Sequence, residues 1–469
     1  MNTISLAEKH TVLLSSIVIG LFCCILATPL FSDGMFLDGI TYAAVAHNMS
    51  LGIGSFWEPH LSDHLFNTFH EHPTLAIGIQ ALFFKVFGGS IYVERFYSFG
   101  SFLINAWLIV AIWKELTNNK SLSFLPLLFF ILIPDIQWSF SNNLLENTMM
   151  IFCSLSFYAL VKHLKTEKLG FLFIGALFLF FSILSKGFVG LYLWGFPIFS
   201  WFFLRETSFA HSIRNTLILI FGTILPFLLF YFLYPIAWES FSAYIQKQVI
   251  GSIQNVQTVG SRFEIIFLFF SQVIIPVIVS IAFWFFARKK RINESTKKER
   301  KYGFLLLCLV AGGVLPILIS LKQRGFYVLT VYPFFALALA LFIKPYADVQ
   351  LQRLSVRSIK GMRIFALFLF AIGLSLTIYG VNKPSRDAAE LDLIYFIEDH
   401  IESSSTLDLN PDLRRNWSLH SYAARHGQFS LNTKAPFQSE FKIEKSINRN
   451  QFKEDQIVYS SDKYLVVKK

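Results

Sequence analysis

Charge is scarce in this chain. Only 15% of its 469 residues are Asp, Glu, Lys or Arg, where a soluble chain carries about a quarter. Cysteine is scarce too: Cys23, Cys24, Cys153 and Cys308 all lie inside apolar runs. No CxxC pair and no Cys/His metal spacing is present, so these four read as small core hydrophobes. No internal repeat is visible, which argues against a transporter built from repeated halves. No removable leader is expected either. The apolar run from Thr11 to Leu30 is too long and lacks a small-residue cleavage site, so it reads as an uncleaved first span.

What is present is apolar. Hydrophobic residues make up 54% of the chain, 54 residues are Phe, and the mean hydropathy is +0.53. Runs of roughly 17–25 apolar residues are long enough to cross about 30 Å of hydrocarbon. Eleven are expected to span: 12–31, 93–116, 121–137, 146–163, 169–185, 188–204, 214–236, 263–287, 303–320, 326–343 and 363–381. The expected fold is mainly α, a polytopic transmembrane helical bundle. A net charge of +11 points to nucleic acid only if the basic residues form one face. Here they sit in short loops between spans, where topology explains them, and no nucleic-acid partner is expected. With the N-terminus inside, the inside loops include 162–168, 288–301 (RKKRINESTKKERK) and 344–363, the last with Lys344, Arg353, Arg357, Lys360 and Arg363. The outside loops carry few cations, and Phe31–Pro73 faces the periplasm or a lumen.

That first outer loop carries no Lys or Arg. It holds Asp33, Asp38, Glu58, Asp63, Glu71 and five histidines: His47, His60, His64, His70 and His72. Ile40, Ala43, Ala44 and Ala46 suggest a short interfacial helix, with Gly52 able to end it. Residues 74–88 form a second apolar helix, short for a span. The polar loop 237–262 reads equally as a mobile lid or a simple connector. After Gly380 the composition turns polar. LDLIYFIEDHI reads as a helix and QIVYSSDKYLVVKK as a hairpin. The expected division is a membrane domain, 1–381, and a small soluble α/β domain, 382–469.

Five groups could carry chemistry. Asp38 is the first, readable as a catalytic base, as a helix N-cap, or as both. His70-Glu71-His72-Pro73 is the second. If extended, His70 and His72 share a side and could hold a divalent cation with Glu71. The alternative is a solvated loop, or direct hydrogen bonds to substrate. The third is Asn142, Asn143, Glu146 and Asn147, read as i,i+4 pairs on one helix. An acid entering the membrane normally faces a cavity or a partner; the bland reading is an interfacial cap. Lys186 in LSKGFVG is the fourth, with a snorkelling lysine as its bland reading. The fifth is Lys322-Gln323-Arg324-Gly325-Phe326-Tyr327, whose outside cations break the topology trend. Arg95 completes a cationic set. Cations hold a phosphate and a carboxylate deprotonates a hydroxyl, which suits group transfer from a lipid phosphate.

In their order, these motifs resemble the GT-C integral-membrane glycosyltransferases, especially family 39, with its protein O-mannosyltransferases and bacterial lipid A aminoarabinose transferase. Asp38-Gly-Ile-Thr-Tyr42-Ala is similar to the family's acidic first-loop motif. FHEHPTLAIGIQALFFKVFG (69–88) is similar to its Phe-Glu-Lys-Pro-Pro stretch; Glu71 and Pro73 match, while His72 stands where Lys is usual and Thr74 where the second Pro is. ERFYS (94–98), NNLLENTMMIF with Glu146 for the usual Asp, LSKGFVGL and KQRGFYVLTVYP resemble later motifs. The resemblance implies a GT-C bundle with juxtamembrane helices in the first outer loop. It implies a polyprenyl-phosphate-linked sugar donor and a lipid, glycan or protein acceptor. Lys186, Arg324, Lys322 and Arg95 would stabilise the donor phosphate. Asp38 would be the base, with inversion at the anomeric carbon. Glu71 and Glu146 would orient the acceptor or a cation, and Tyr42, His70, His72 and Tyr327 would complete the substrate site. The implied location is the cell inner membrane, multi-pass, with the site facing the periplasm. The competing reading is a transporter or flippase of a lipid-linked sugar.

Overall fold

A computed structural model describes residues 6–118, 122–251, 256–287, 297–351 and 355–469. Most of the basic loop 288–301, Arg353 and part of the 237–262 loop fall outside them. The chain divides into two compact units. The first comprises Met1–Thr28, Phe99–Phe140 and Glu146–Tyr379; the second comprises Pro29–Ser98, Ser141–Leu145 and Gly380–Lys469.

The helices, in chain order, are α1 (Leu6–Phe22), α2 (Leu37–Ser50), α3 (Leu75–Phe87), α4 (Val93–Thr117), α5 (Phe124–Ile131), α6 (Pro134–Ser141), α7 (Leu145–Thr166), α8 (Leu169–Lys186), α9 (Phe196–Leu204), α10 (Phe209–Leu233), α11 (Pro235–Tyr244), α12 (Glu264–Ala287), α13 (Lys297–Val314), α14 (Tyr332–Leu351), α15 (Val356–Gly380), α16 (Ala388–His400) and α17 (Trp417–Gly427). Every expected span meets a helix, yet fewer than eleven are long and apolar enough to cross. Among the described residues eight are, or nine if the bent pair α5–α6 is one span. That pair is bent by 76°. Pro134 opens α6, lacks an amide hydrogen and disfavours helix in the residue before it. The run 188–204 begins as a 3-10 turn (Phe188–Gly195) and leaves only α9 as regular helix. The run 146–163 lies in α7, which also carries Glu146, Lys162, His163 and Lys165.

In the first unit, the segment Gly325–Ala347 is 78% buried, against 11% for Arg357–Gly380. The first is therefore the core helix of the bundle and the second a peripheral one. α14 packs on α5, α12 and α13. The peripheral helices present Phe, Leu and Ile outward, for example Leu367, Phe368 and Ile378 on α15 and Phe267 and Phe270 on α12. Such faces suit a hydrocarbon solvent.

The second unit is built on a five-stranded sheet of order β2-β1-β3-β5-β4. Its strands are β1 (Thr406–Leu409), β2 (Ser430–Asn432), β3 (Phe441–Lys445), β4 (Ile457–Ser460) and β5 (Tyr464–Lys468). β1 runs parallel to β2 and β3; β5 runs antiparallel to β3 and β4. The helix and hairpin expected in this segment are α16 and β4–β5. α2 departs from its expected interfacial setting. Ile40, Tyr42, Ala43, Ala44, Val45 and Ala46 are all buried, because α3 and α17 both pack on it. A helix apolar nearly all round belongs in a core.

Two buried histidines make this unit acid-sensitive. Burial lowers His47 from 6.5 to about 4, and nearby Arg425 and His426 push the same way. Burial lowers His420 from 6.5 to about 4 as well. Between those values the unfolded chain takes up protons that the folded unit refuses. Stability should therefore fall as pH drops from 6.5 towards 4, by on the order of 3 kcal/mol per histidine. Melting of the detergent-solubilised protein across this range checks it. His47→Asn and His420→Asn should each flatten the pH slope.

Candidate active site

Asp38 lies in the second unit, in the first turn of α2. The N-cap of that helix is Phe36, with no side-chain cap bond, so Asp38 is not the cap. Its half-buried carboxylate makes no hydrogen bond or ion pair among the described residues. The turn around it is tightly held. Phe36 N donates to Asn142 Oδ1 at 2.8 Å, and Asn143 Nδ2 donates to Gly39 O at 3.3 Å. A Cβ on Gly39 would meet Asn142 O at 1.9 Å, so only glycine fits beside Asp38. Asn142 and Asn143 therefore grip α2. They are not i,i+4 partners of Glu146 and Asn147, because α7 starts at Leu145 and Asn143 sits at φ +52° in the turn before it.

The other second-unit candidates differ in their tasks. Tyr42 is buried one turn along from Asp38, and its ring meets the His72 ring edge-on at 5.5 Å. His70 Nε2 donates to the Trp57 carbonyl at 3.3 Å. Glu71 is half-buried between them in sequence. Arg95 is buried, and its guanidinium donates to the carbonyls of Pro29 and Gly34, with a third contact to Ser141 O at 3.3 Å. These bonds make Arg95 a clamp on the loop backbone, a different task from the expected phosphate contact.

In the first unit Lys186 closes α8. Its ammonium lies 3.0 Å from Glu146 Oε1, with side-chain exposures of 7% and 3%. A snorkelling lysine would reach water; this one is an internal ion pair. Gly187 follows at φ +117°, where a Cβ would meet Tyr244 Oη at 1.9 Å. The Lys186 ammonium also lies 5.8 Å from the Phe326 ring, which is further contacted by Trp138, stacked at 5.6 Å, and Tyr327, edge-on at 5.1 Å. Lys322 Nζ donates to Gln248 Oε1 at 2.8 Å. Arg324 is exposed at the start of the 3-10 turn Gly325–Val331, and its side chain makes no hydrogen bond or ion pair among the described residues.

Residues 71–238 match the family model described as dolichyl-phosphate-mannose-protein mannosyltransferase. No curated protein sequence matches the chain. Among solved structures, ArnT from Cupriavidus metallidurans bound to undecaprenyl phosphate is similar at a TM-score of 0.66 and 13% identity, covering 97% of this chain and 96% of that one. Its apo state gives 0.66 and 13%, covering 99% and 98%. The archaeal oligosaccharyltransferase AglB from Archaeoglobus fulgidus, in complex with an inhibitory peptide and a dolichol-phosphate, gives 0.52 and 11%, covering 94% and 70%. The fold is GT-C.

No group of three or more His, Cys, Asp and Glu able to hold a metal ion occurs among the described residues. His70 turns to the Trp57 carbonyl and His72 to the Tyr42 ring, so the expected triplet with Glu71 does not assemble. Among the described residues no metal centre is formed. Conversely, the GT-C body contains an acid that sequence reasoning passed over. Asp135 Oδ2 accepts from Tyr332 Oη at 3.1 Å, and Asp135 N donates to Gln272 Oε1 at 2.9 Å. An acid inside an apolar run was the signal that could have found it. Nothing local in the sequence marks Tyr422 and Arg425, whose contacts with the loop are described below.

Proposed function

We propose that this GT-C protein is a glycosyltransferase moving a sugar from a polyprenyl-phosphate donor to an acceptor hydroxyl, with Asp38 as general base. The observation that carries the reading is the Asp38 carboxylate itself, without partners among the described residues and set on a rigidly held turn. A carboxylate left without partners on a fixed backbone is prepared to accept a proton. In the proposed reaction Asp38 takes the proton of the acceptor hydroxyl. The oxygen attacks the anomeric carbon, the bond from that carbon to the phosphate oxygen breaks, and polyprenyl phosphate leaves as the monoester. Configuration inverts. Phosphate is a good leaving group, so no strong general acid is required.

Arg324 is the cation we assign first to the leaving phosphate, because its guanidinium is exposed and otherwise uncommitted among the described residues. Lys322 and the Lys186–Glu146 pair add polar stabilisation in the same unit. Glu71, Tyr42, His70, His72 and Tyr327 are assigned to substrate contact. We place the reaction at the periplasmic side of the cell inner membrane, as the resemblance to the GT-C glycosyltransferases implies.

Transfer of radiolabelled sugar from synthetic polyprenyl-phosphate donors, in proteoliposomes offered lipid, glycan and protein acceptors, tests the reading. The expected result is labelled acceptor of inverted anomeric configuration and released polyprenyl phosphate. Movement of intact donor across the bilayer without cleavage would instead identify a flippase.

A further inference from the structure

The C-terminal segment does more than append a sheet. α17 lies along α2, the helix that carries Asp38. Small residues let the backbones approach: Ala423 and Ala424 on one helix, Ala43 and Ala44 on the other, all fully buried. Three side chains of α17 then reach the loop. Tyr422 Oη accepts from Met35 N at 2.8 Å, and its proton is shared between Met35 O at 3.1 Å and Asp387 Oδ2 at 3.2 Å. Ser421 Oγ bonds Thr41 Oγ1 at 2.7 Å. Arg425 forms a two-point ion pair with Glu94 at 2.9 and 3.2 Å and also donates to the carbonyls of Gly89 and Ser90.

These contacts are not spread evenly. Tyr422 and Ser421 meet Met35 and Thr41, three residues before Asp38 and three after it. Arg425 anchors the same helix against the α3–α4 turn. Tyr422 is only 1% exposed, so its hydroxyl has no water to fall back on. Asn142 and Asn143 hold the same turn through Phe36 N and Gly39 O. The backbone that carries Asp38 is thus fixed by a chain segment nearly 400 residues away in sequence.

We propose that Tyr422 is a positioning residue for Asp38, and that α17 acts as the clamp that sets the base. This rests on the assignment of Asp38 above. A carboxylate must be held within a fraction of an ångström of its productive place, and a shift of about 1 Å costs on the order of a hundredfold in rate. Removing one hydroxyl from the clamp should loosen the turn without emptying the core, because the ring stays.

Tyr422→Phe in the full-length protein, reconstituted in proteoliposomes, tests this. The probe is the pool of undecaprenyl-phosphate sugars extracted from metabolically labelled cells. Turnover should fall about tenfold to a hundredfold, with the donor KM within about twofold, because donor contacts are untouched. Hydrogen exchange should rise at residues 35–41 and stay unchanged in the sheet. Ser421→Ala, which removes only the Thr41 contact, should show the same pattern more weakly and serves if Tyr422→Phe does not fold. Asp38→Asn is run beside them. If Asp38→Asn is inactive while Tyr422→Phe and Ser421→Ala keep full turnover and native exchange, the clamp is refuted and the base assignment stands. If Asp38→Asn keeps full turnover, both fail. A rise in donor KM with unchanged turnover also overturns the positioning role.

Discussion

Asp38→Asn should lower sugar transfer by about a thousandfold, within the 10²–10⁴ range of positioned general bases, while the protein folds and melts as before. The two halves of this expectation have separate causes. Asparagine keeps the size and shape of aspartate but cannot take a proton. Folding is spared because the Asp38 carboxylate has no hydrogen bond or ion pair to lose among the described residues. What remains is the favourable placement of a negative charge in the first turn of α2, worth about 0.3–1 kcal/mol at a helix N-terminus. Melting in detergent and transfer from the same preparation measure both halves. Full turnover in Asp38→Asn would remove the base from the mechanism. A large loss of stability would show that the residue is structural.

Lys186→Met should strongly destabilise the membrane body. Lys186 and Glu146 are internal and 3.0 Å apart. Removing one member takes the oppositely charged group at 3.0 Å away from the other buried charge, which costs about 3–5 kcal/mol. Replacing both, as Lys186→Met with Glu146→Leu, should recover most of that stability, because apolar side chains of similar volume suit the site. Activity should separate from stability here. The double variant should melt near the wild type yet transfer poorly, since a neutral pair offers nothing to a phosphate or an acceptor hydroxyl. Recovery of transfer in the double variant would make the pair purely structural.

Much of the architecture was legible from local pattern. Apolar runs located most helices of the membrane body, though not α11 at the start of the polar loop 237–262, and α16 and the β4–β5 hairpin followed from helical and alternating periodicity. The span count was overestimated where a pattern of composition hid a break in geometry. Pro134 bends α5–α6, and the turn after Gly187 begins as a 3-10 helix. The parallel pairing of β1 with β2 and β3 was not read, because those strands are only three to five residues long and leave little periodicity.

The candidate site divides in the same way. Asp38, Glu146 and Lys186 stand out in sequence because charge is rare in such a chain and its burial is costly. Roles set by long-range contacts do not. Arg95 reads as one more cation until its bonds to Pro29 and Gly34 are seen. His70, Glu71 and His72 can be read as a ligand triplet until His70 is seen bonding the Trp57 carbonyl and His72 meeting the Tyr42 ring.

The sequence by itself determined that this chain lives in a membrane, that its first loop is acidic, and where its scarce charges fall. Hydrocarbon thickness and the cost of desolvating charge act on any chain through composition and run length alone. Only the tertiary structure decided that Tyr422 holds the backbone before Asp38 and that Arg425 pairs with Glu94. Contacts between residues more than 300 positions apart leave no periodic trace. They arise when helices and strands bury faces that only the folded chain brings together.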